Sequence, residues 1–241
     1  MLMKLNKIFA FIILLLAICS FSSCEKGFNF YPQSKIWAHK VNTPEEANLK
    51  IELFDGIEVD LFFDTTTYNL YVSHDEELNN RLTFKEYLQQ LNNTKIHYWL
   101  DVKKLYDTTG AICDTIIALS KKHKFRNKFF VESWSSVALK KAKEKGIMTS
   151  LWVDNIALDN KPDTAAWHAK VLEQIEIAHP DAISADYRMR DIIKQYFTDI
   201  NLHLWQTPVN YSEKNAAITR ELCLDNQVKV VLVDYDQPIL Y

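Results

Sequence analysis

The stretch "GIEVDLFFDTTTYNLYVSHD" (residues 56–75) decides the fold. Its first half alternates as a strand does. Successive side chains of a strand point to opposite faces, so Glu58 and Asp60 share one face among apolar neighbours. The chain then turns through "DTTTYN" and returns as "LYVSHD", bringing His74 and Asp75 back towards the two acids. Outward from this unit, strand-like runs alternate with helical patterns. Strands are predicted at 35–39, 56–63, 95–103, 128–134, 146–154, 181–187, 201–208 and 228–235, with a short extra one at 69–74. Helical patterns fill the gaps. The first opens with Thr43 at a cap position, Pro44 at the first helical position and Glu46 three residues after the cap. The fourth stops at Gly146, as a C-terminal cap glycine does.

Eight strands alternating with helices in one domain predict a (β/α)8 TIM barrel. An open doubly wound sheet would carry a glycine-rich first turn. The turn here is "HKVNTPEE", which has no glycine. Only "DQPILY" follows the last strand, so the last helix is predicted to be reduced or missing.

The chain has 241 residues, 48% of them hydrophobic, and a formal net charge of −3. That content supports a sizeable core, and the charge gives no electrostatic case for nucleic acid. Residues 1–23 read as an export signal, with a basic start and an apolar run. "FSSC" at its end resembles a bacterial lipobox, so Cys24 is predicted to be lipidated and to anchor an exported cell-envelope protein to the membrane surface. Residues 24–34 read as a tether and 35–241 as the barrel. Cys113 and Cys223, both in helical patterns, are either a pair or two buried thiols.

Reactive groups of such barrels collect at the C-terminal strand ends. His39 ends the first run. Glu58 and Asp60 lie on the second, and His74 ends the returning strand. Asp101 and Lys103 share a face of the third. Glu132, Asp154, Asp186, Trp205 and Asp234 stand near the ends of later strands. For any one of these, the bland reading is a strand end meeting solvent. Together, three carboxylates and an ammonium at one mouth would repel unless a hard cation joined them, and Ca²⁺ or Mg²⁺ prefers such oxygen ligands. His39 and His74 beside such a cation suit phosphoryl chemistry: one removes a proton from the attacking hydroxyl and the other protonates the leaving oxygen. Lys103 would help to neutralise charge growing on the phosphoryl oxygens.

"WAHK", "GIEVDL", "VSHDEEL" and "WLDVKKL", in that order, resemble the glycerophosphodiester phosphodiesterase family of the phospholipase C-like superfamily. "WAHKVNT" with "IEVDL" is similar to the menorin-type branch. The resemblance implies a metal-dependent attack on a small-molecule phosphodiester, in many members by a neighbouring hydroxyl of the substrate. It implies His39 and His74 as the acid–base pair and Glu58, Asp60 and Asp101 as metal ligands. It further implies Lys103 and Lys40 as phosphate- or substrate-binding groups, and Trp205 as a pocket wall. Three positions depart from the family. Lys40 stands for its arginine and gives a point charge rather than a bidentate fork. Val41 stands for its glycine, and Asp101 for a glutamate one methylene longer.

Two other readings compete. One is a non-catalytic membrane-anchored barrel that binds a ligand or partner. The other is a glycoside hydrolase, which needs two carboxylates across a bond and would draw on Glu132. His97 and His203 fall mid-strand and read as structural. His123, His168 and His179 lie in or after helices, away from the proposed mouth.

Overall fold

The computed structural model describes residues 30–74, 82–103, 105, 110–157, 163–207 and 210–236. The signal segment, Cys24 and Asp75 lie outside the described residues, as does the end of the chain from residue 237. Tyr31–Tyr241 forms a compact unit.

Its elements follow the predicted alternation. They are β1 (Ile36–Ala38), α1 (Pro44–Lys50), β2 (Gly56–Asp64), β3 (Asn69–Val72), α2 (Phe84–Gln89), β4 (His97–Lys103), α3 (Ala111–Lys122), β5 (Phe129–Ser133) and α4 (Ser136–Glu144). There follow β6 (Met148–Trp152), α5 (Thr164–Ala178), β7 (Ala182–Asp186), a 3₁₀ turn (Tyr187–Met189), α6 (Arg190–Tyr196), β8 (Asn201–Gln206), α7 (Glu213–Leu224) and β9 (Val228–Val233). The parallel strands run β1-β9-β8-β7-β6-β5-β4-β2, and β1 also pairs with β2, which closes the sheet into an eight-stranded barrel. Among the described residues no helix follows β9.

Local chemistry sets the helix ends. Thr43 accepts from the Glu46 N–H at 3.2 Å, with Pro44 at the first helical position. The reciprocal capping box forms at α2, between Thr83 and Glu86. Gly146 follows α4 in the left-handed region, at φ 72°, where a glycine carries no Cβ penalty.

β3 lies antiparallel on β2, with Leu61 opposite Val72. β1 is short and meets β2 only at its start, Ala38 opposite Ile57. The returning strand therefore takes up the rest of that edge. The Ser73 N–H donates to the Asp60 carbonyl at 3.1 Å, which fixes where His74 enters the mouth.

The strands bury both faces. Ile57, Val59, Leu61, Leu100, Val102, Val131, Ile183, Leu204, Val231 and Val233 belong to the main hydrophobic core. The alternate residues fill the barrel interior, where Trp37, Trp99, Phe130 and His203 are wholly buried. Phe130 has ring centroids 5.8 Å from Trp37, 5.0 Å from Trp99 and 4.2 Å from His203. Gly56 faces the Trp37 indole so closely that an added Cβ would lie 2.1 Å from the ring; the glycine is what lets this indole in. His203 is satisfied by Ser150 Oγ at 2.9 Å and by the Tyr31 hydroxyl at 3.1 Å. Tyr31, in the stretch read as a tether, is thus packed onto the barrel. Burial drives the His203 pKa down to about 3, so this imidazole is structural and neutral, as its mid-strand position predicts. His97, at the start of β4, packs against Trp37. Cys113 and Cys223 are buried thiols on α3 and α7, with no disulfide between them.

Candidate active site

The barrel opens at the C-terminal strand ends into a cavity of about 240 Å³. His39, Lys40, Glu58, Asp60, His74, Asp101, Lys103 and Trp205 all line it, so the structure brings every predicted catalytic, metal and substrate residue of the barrel into one place. Parallel register explains why. Asp60 is opposite Asp101, and Asp101 is opposite Glu132, on three adjacent strands.

Carboxylate oxygens of Glu58, Asp60 and Asp101 lie within 4.8 Å of one another. Lys103 joins them: its ammonium is 2.9 Å from Asp60 Oδ1 and also pairs with Asp101. Burial opposes the charge on Lys103, but Asp101 and Asp60 outweigh it and hold the pKa above the usual lysine range. Asp60 also resists burial. Lys103's charge and hydrogen bonds from Lys103 and Asn42 hold its carboxyl below the usual range. Glu58 goes the other way. Burial, then the charges of Asp60 and Asp101, push its pKa well up, and burial raises Asp101 too. With all three acids ionised, one ammonium would leave two negative charges uncompensated in a buried cluster, and that uncompensated charge adds to burial in pushing Glu58 up. An all-oxygen donor set with that excess fits a divalent cation.

Glu58 is clamped by backbone. The Lys40 N–H donates to its Oε2 at 2.6 Å, and the Val41 N–H to its carbonyl at 2.9 Å. The first bond accompanies φ 54° at Lys40, a left-handed conformation that costs a non-glycine residue about 1–2 kcal/mol. The strain is thus tied to aiming one N–H at one carboxylate.

His39 Nδ1 lies 2.7 Å from Asp234 Oδ1, and its Nε2 lies 4.0 Å from Glu58 Oε2. An ionised carboxylate only accepts, so the Asp234 contact selects the tautomer with the hydrogen on Nδ1, and in the neutral imidazole Nε2 then faces the cavity as an acceptor. His74 acts electrostatically on both Asp60 and Asp101.

Four contributors were missed as site residues in the sequence reading. Asp234 orients His39, and only closure between β1 and β9 reveals that contact. Asn42 holds Asp60 twice, donating to Oδ2 at 2.7 Å and accepting from the Asp60 N–H at 3.0 Å. Glu132, read as a strand-end acid and given a role only in the glycosidase reading, is buried in the cavity wall. It accepts from the Trp99 indole N–H and from Ser184 Oγ at 2.7 Å, and burial, with Asp101's charge, raises its pKa to about 8. Trp152 stands beside Trp205 in the same wall. Two other strand-end acids are occupied elsewhere: Asp154 pairs with Lys170, and Asp186 with Arg188.

No protein-family model and no curated protein matches the chain. Solved structures do. A provisionally assigned glycerophosphoryl diester phosphodiesterase from Agrobacterium tumefaciens superposes with a TM-score of 0.64 at 13% identity, over 85% of this chain and 95% of that one. A phosphodiesterase from Oleispira antarctica, solved with its product sn-glycerol-3-phosphate, gives 0.62 at 16%, over 87% and 96%. A glycerol uptake operon antiterminator regulatory protein from Listeria monocytogenes gives 0.54 at 10%, over 86% and 95%. The shared property is the (β/α)8 barrel, a fold that hosts an enzyme and a regulator alike.

Proposed function

We propose that the chain is a metal-dependent phosphodiesterase acting on a small glycerophosphodiester or a phospholipid-derived diester. The observation that carries this is the meeting of His39 and His74 with the Glu58–Asp60–Asp101 cluster in one cavity. A binding protein has no need of an imidazole whose tautomer is fixed by a carboxylate partner. The fold shared with glycerophosphodiester phosphodiesterases supports the same reading.

Glu58, Asp60 and Asp101 would hold a Ca²⁺ or Mg²⁺ ion, and such an ion, when bound, stabilises negative charge on phosphoryl oxygens. The chain's own residues do the rest. His39 Nε2 takes the proton from the attacking hydroxyl, and Asp234 stabilises the imidazolium that forms. As the new O–P bond forms and the old P–O bond breaks, His74 gives its proton to the leaving alkoxide. Lys103 and Lys40 place positive charge at the phosphate, and Trp99 and Glu132 close the floor against water. Cleavage at residue 23 and lipidation of Cys24 would hold this barrel on a membrane surface of the bacterial envelope, near phospholipid-derived diesters.

The second reading, a ligand-binding barrel without catalysis, draws on one observation: Lys103 already bridges two of the three acids. Hydrolysis separates the two readings. With Mg²⁺ or Ca²⁺, the protein is expected to cleave bis(p-nitrophenyl) phosphate or glycerophosphocholine, and chelation is expected to stop it. No turnover with any divalent ion would favour the binding protein.

A further inference from the structure

Cations on this barrel are unevenly matched with acids. Around much of the surface they are paired: Lys141 with Glu144, Lys143 with Asp181, Lys145 with Asp114, Lys194 with Asp225 and Arg190 with Glu221. The segment "KKHKFRNK" (residues 121–128) is different. It runs from the last turn of α3 to the start of β5, so it lies at the N-terminal strand ends, on the face opposite the cavity. Lys95, ahead of β4, joins it. Thr94 Oγ1 donates to the His123 carbonyl at 2.6 Å, and the Lys128 ammonium donates to the Lys95 carbonyl. Lys95, Lys121, Lys122 and Lys124 are exposed, and Arg126 and Lys128 are half-buried. Among the described residues no carboxylate pairs with any of these six, and Arg126 donates to the carbonyls of Lys145 and Gly146. The acids of the same face are engaged or belong to other loops. Asp181 and Asp225 are paired with lysines, Asp55 accepts from the Ser34 N–H, and Glu52 and Asp199 precede β2 and β8.

Six unmatched cations on one flank make a patch of positive potential, which attracts an anionic surface. The chain itself indicates which surface. Tyr31 enters at this same end of the barrel, ahead of β1: its hydroxyl reaches His203 at 3.1 Å, and Asp181, the partner of Lys143, acts on it electrostatically. Tyr31 comes seven residues after Cys24, and seven extended residues reach at most about 25 Å. A lipidated Cys24 therefore keeps the basic end of the barrel close to the bilayer. Each Lys or Arg brought near a bilayer with anionic headgroups favours that pose by roughly fivefold. The lipid supplies attachment, and the patch sets orientation. A protein or nucleic-acid partner has no comparable tie to this end.

We infer that Lys95 and the segment 121–128 dock on the anionic phospholipid surface to which Cys24 anchors the chain, so that the cavity opens away from that bilayer and takes its diesters from solution. This rests on the anchoring part of the proposed function and not on its catalysis. The test uses the full chain, processed in a bacterial host and reconstituted on two kinds of vesicle. One is phosphatidylcholine alone, and the other is phosphatidylcholine and phosphatidylglycerol in equal parts. Lysine acetylation is followed by peptide mass spectrometry, which also reports the lipid on Cys24. On the anionic vesicles Lys121, Lys122 and Lys124 are expected to react about fivefold slower or more than on the neutral ones. Lys214, exposed in the first turn of α7 at the cavity end, should keep its rate. The difference should vanish at high salt. It should also vanish at Lys95 in the Lys121→Glu/Lys122→Glu/Lys124→Glu variant, which changes only exposed side chains. Equal rates on the two vesicles, or slowing at Lys214 instead, would overturn the inference. Slowing by a DNA duplex and by neither vesicle would also overturn it and assign the patch to nucleic acid. Slowing of the three lysines on a chain whose Cys24 carries no lipid would uphold the docking patch and remove the anchor.

Discussion

Replacing His39 by alanine is expected to lower kcat/KM for diester hydrolysis by about 10²–10⁴-fold, and His74→Ala by a similar factor, the usual contribution of one positioned proton-transfer group. Thermal stability should barely move. His39 is partly exposed at the mouth, with its side chain 27% accessible, and removing it leaves no buried group without its partner. Asp234→Asn tests the orienting role separately. The imidazole keeps a neighbour but loses the charge that fixes its tautomer and stabilises its protonated form. That variant should fall between wild type and His39→Ala. The checks are initial rates at saturating metal and a melting curve for each protein. Rates within about threefold of wild type for both histidine variants would leave the pair no part in proton transfer.

Acid should unfold the protein through His203. This imidazole is fully buried against Phe130, and its pKa falls from the ordinary 6.5 to about 3. The unfolded chain therefore binds a proton at pH values where the folded chain does not. The stabilisation is whole above pH 6.5 and is lost as the pH falls towards 3. At 1.36 kcal/mol per unit, the loss across that window is roughly 5 kcal/mol, comparable with the whole stability of many domains. Glu132 pulls the other way. Its raised pKa makes its contribution complete below the ordinary carboxylate range and progressively lost as the pH climbs to about 8. Both slopes act between about pH 4.5 and 6.5, so the wild-type curve there is a blend. The difference between wild type and His203→Gln isolates the histidine, because glutamine does not titrate. Denaturant unfolding from pH 3 to pH 8 in the presence of a chelator is the measurement. A difference that does not vary with pH would show that His203 is not buried neutral.

The strand–helix rhythm was legible because each strand is short, apolar and bounded by polar turns. The charged face was legible because strand side chains alternate: Glu58 with Asp60, and Asp101 with Lys103, fall on the cavity side for that reason alone. Strand ends were overrun by a residue or two. The run to Tyr235 was read as strand, whereas β9 stops at Val233, and Asp234 turns to His39 instead. That contact spans 195 positions in sequence and exists only because the barrel closes, so no local pattern announces it. Asn42 escaped for a similar reason, since its acceptor Asp60 is on the neighbouring strand. The left-handed backbone at Lys40 was also invisible in sequence, because the residue there is not the glycine such a turn favours.

Calorimetric titration of the chelated protein with Mg²⁺ and Ca²⁺ reaches the central claim most directly. One divalent ion per chain is expected for wild type, with the heat abolished in Asp60→Asn and in Asp101→Asn. Titration curves that are the same for wild type and both variants, or no binding at millimolar metal, would contradict a cation held by Glu58, Asp60 and Asp101.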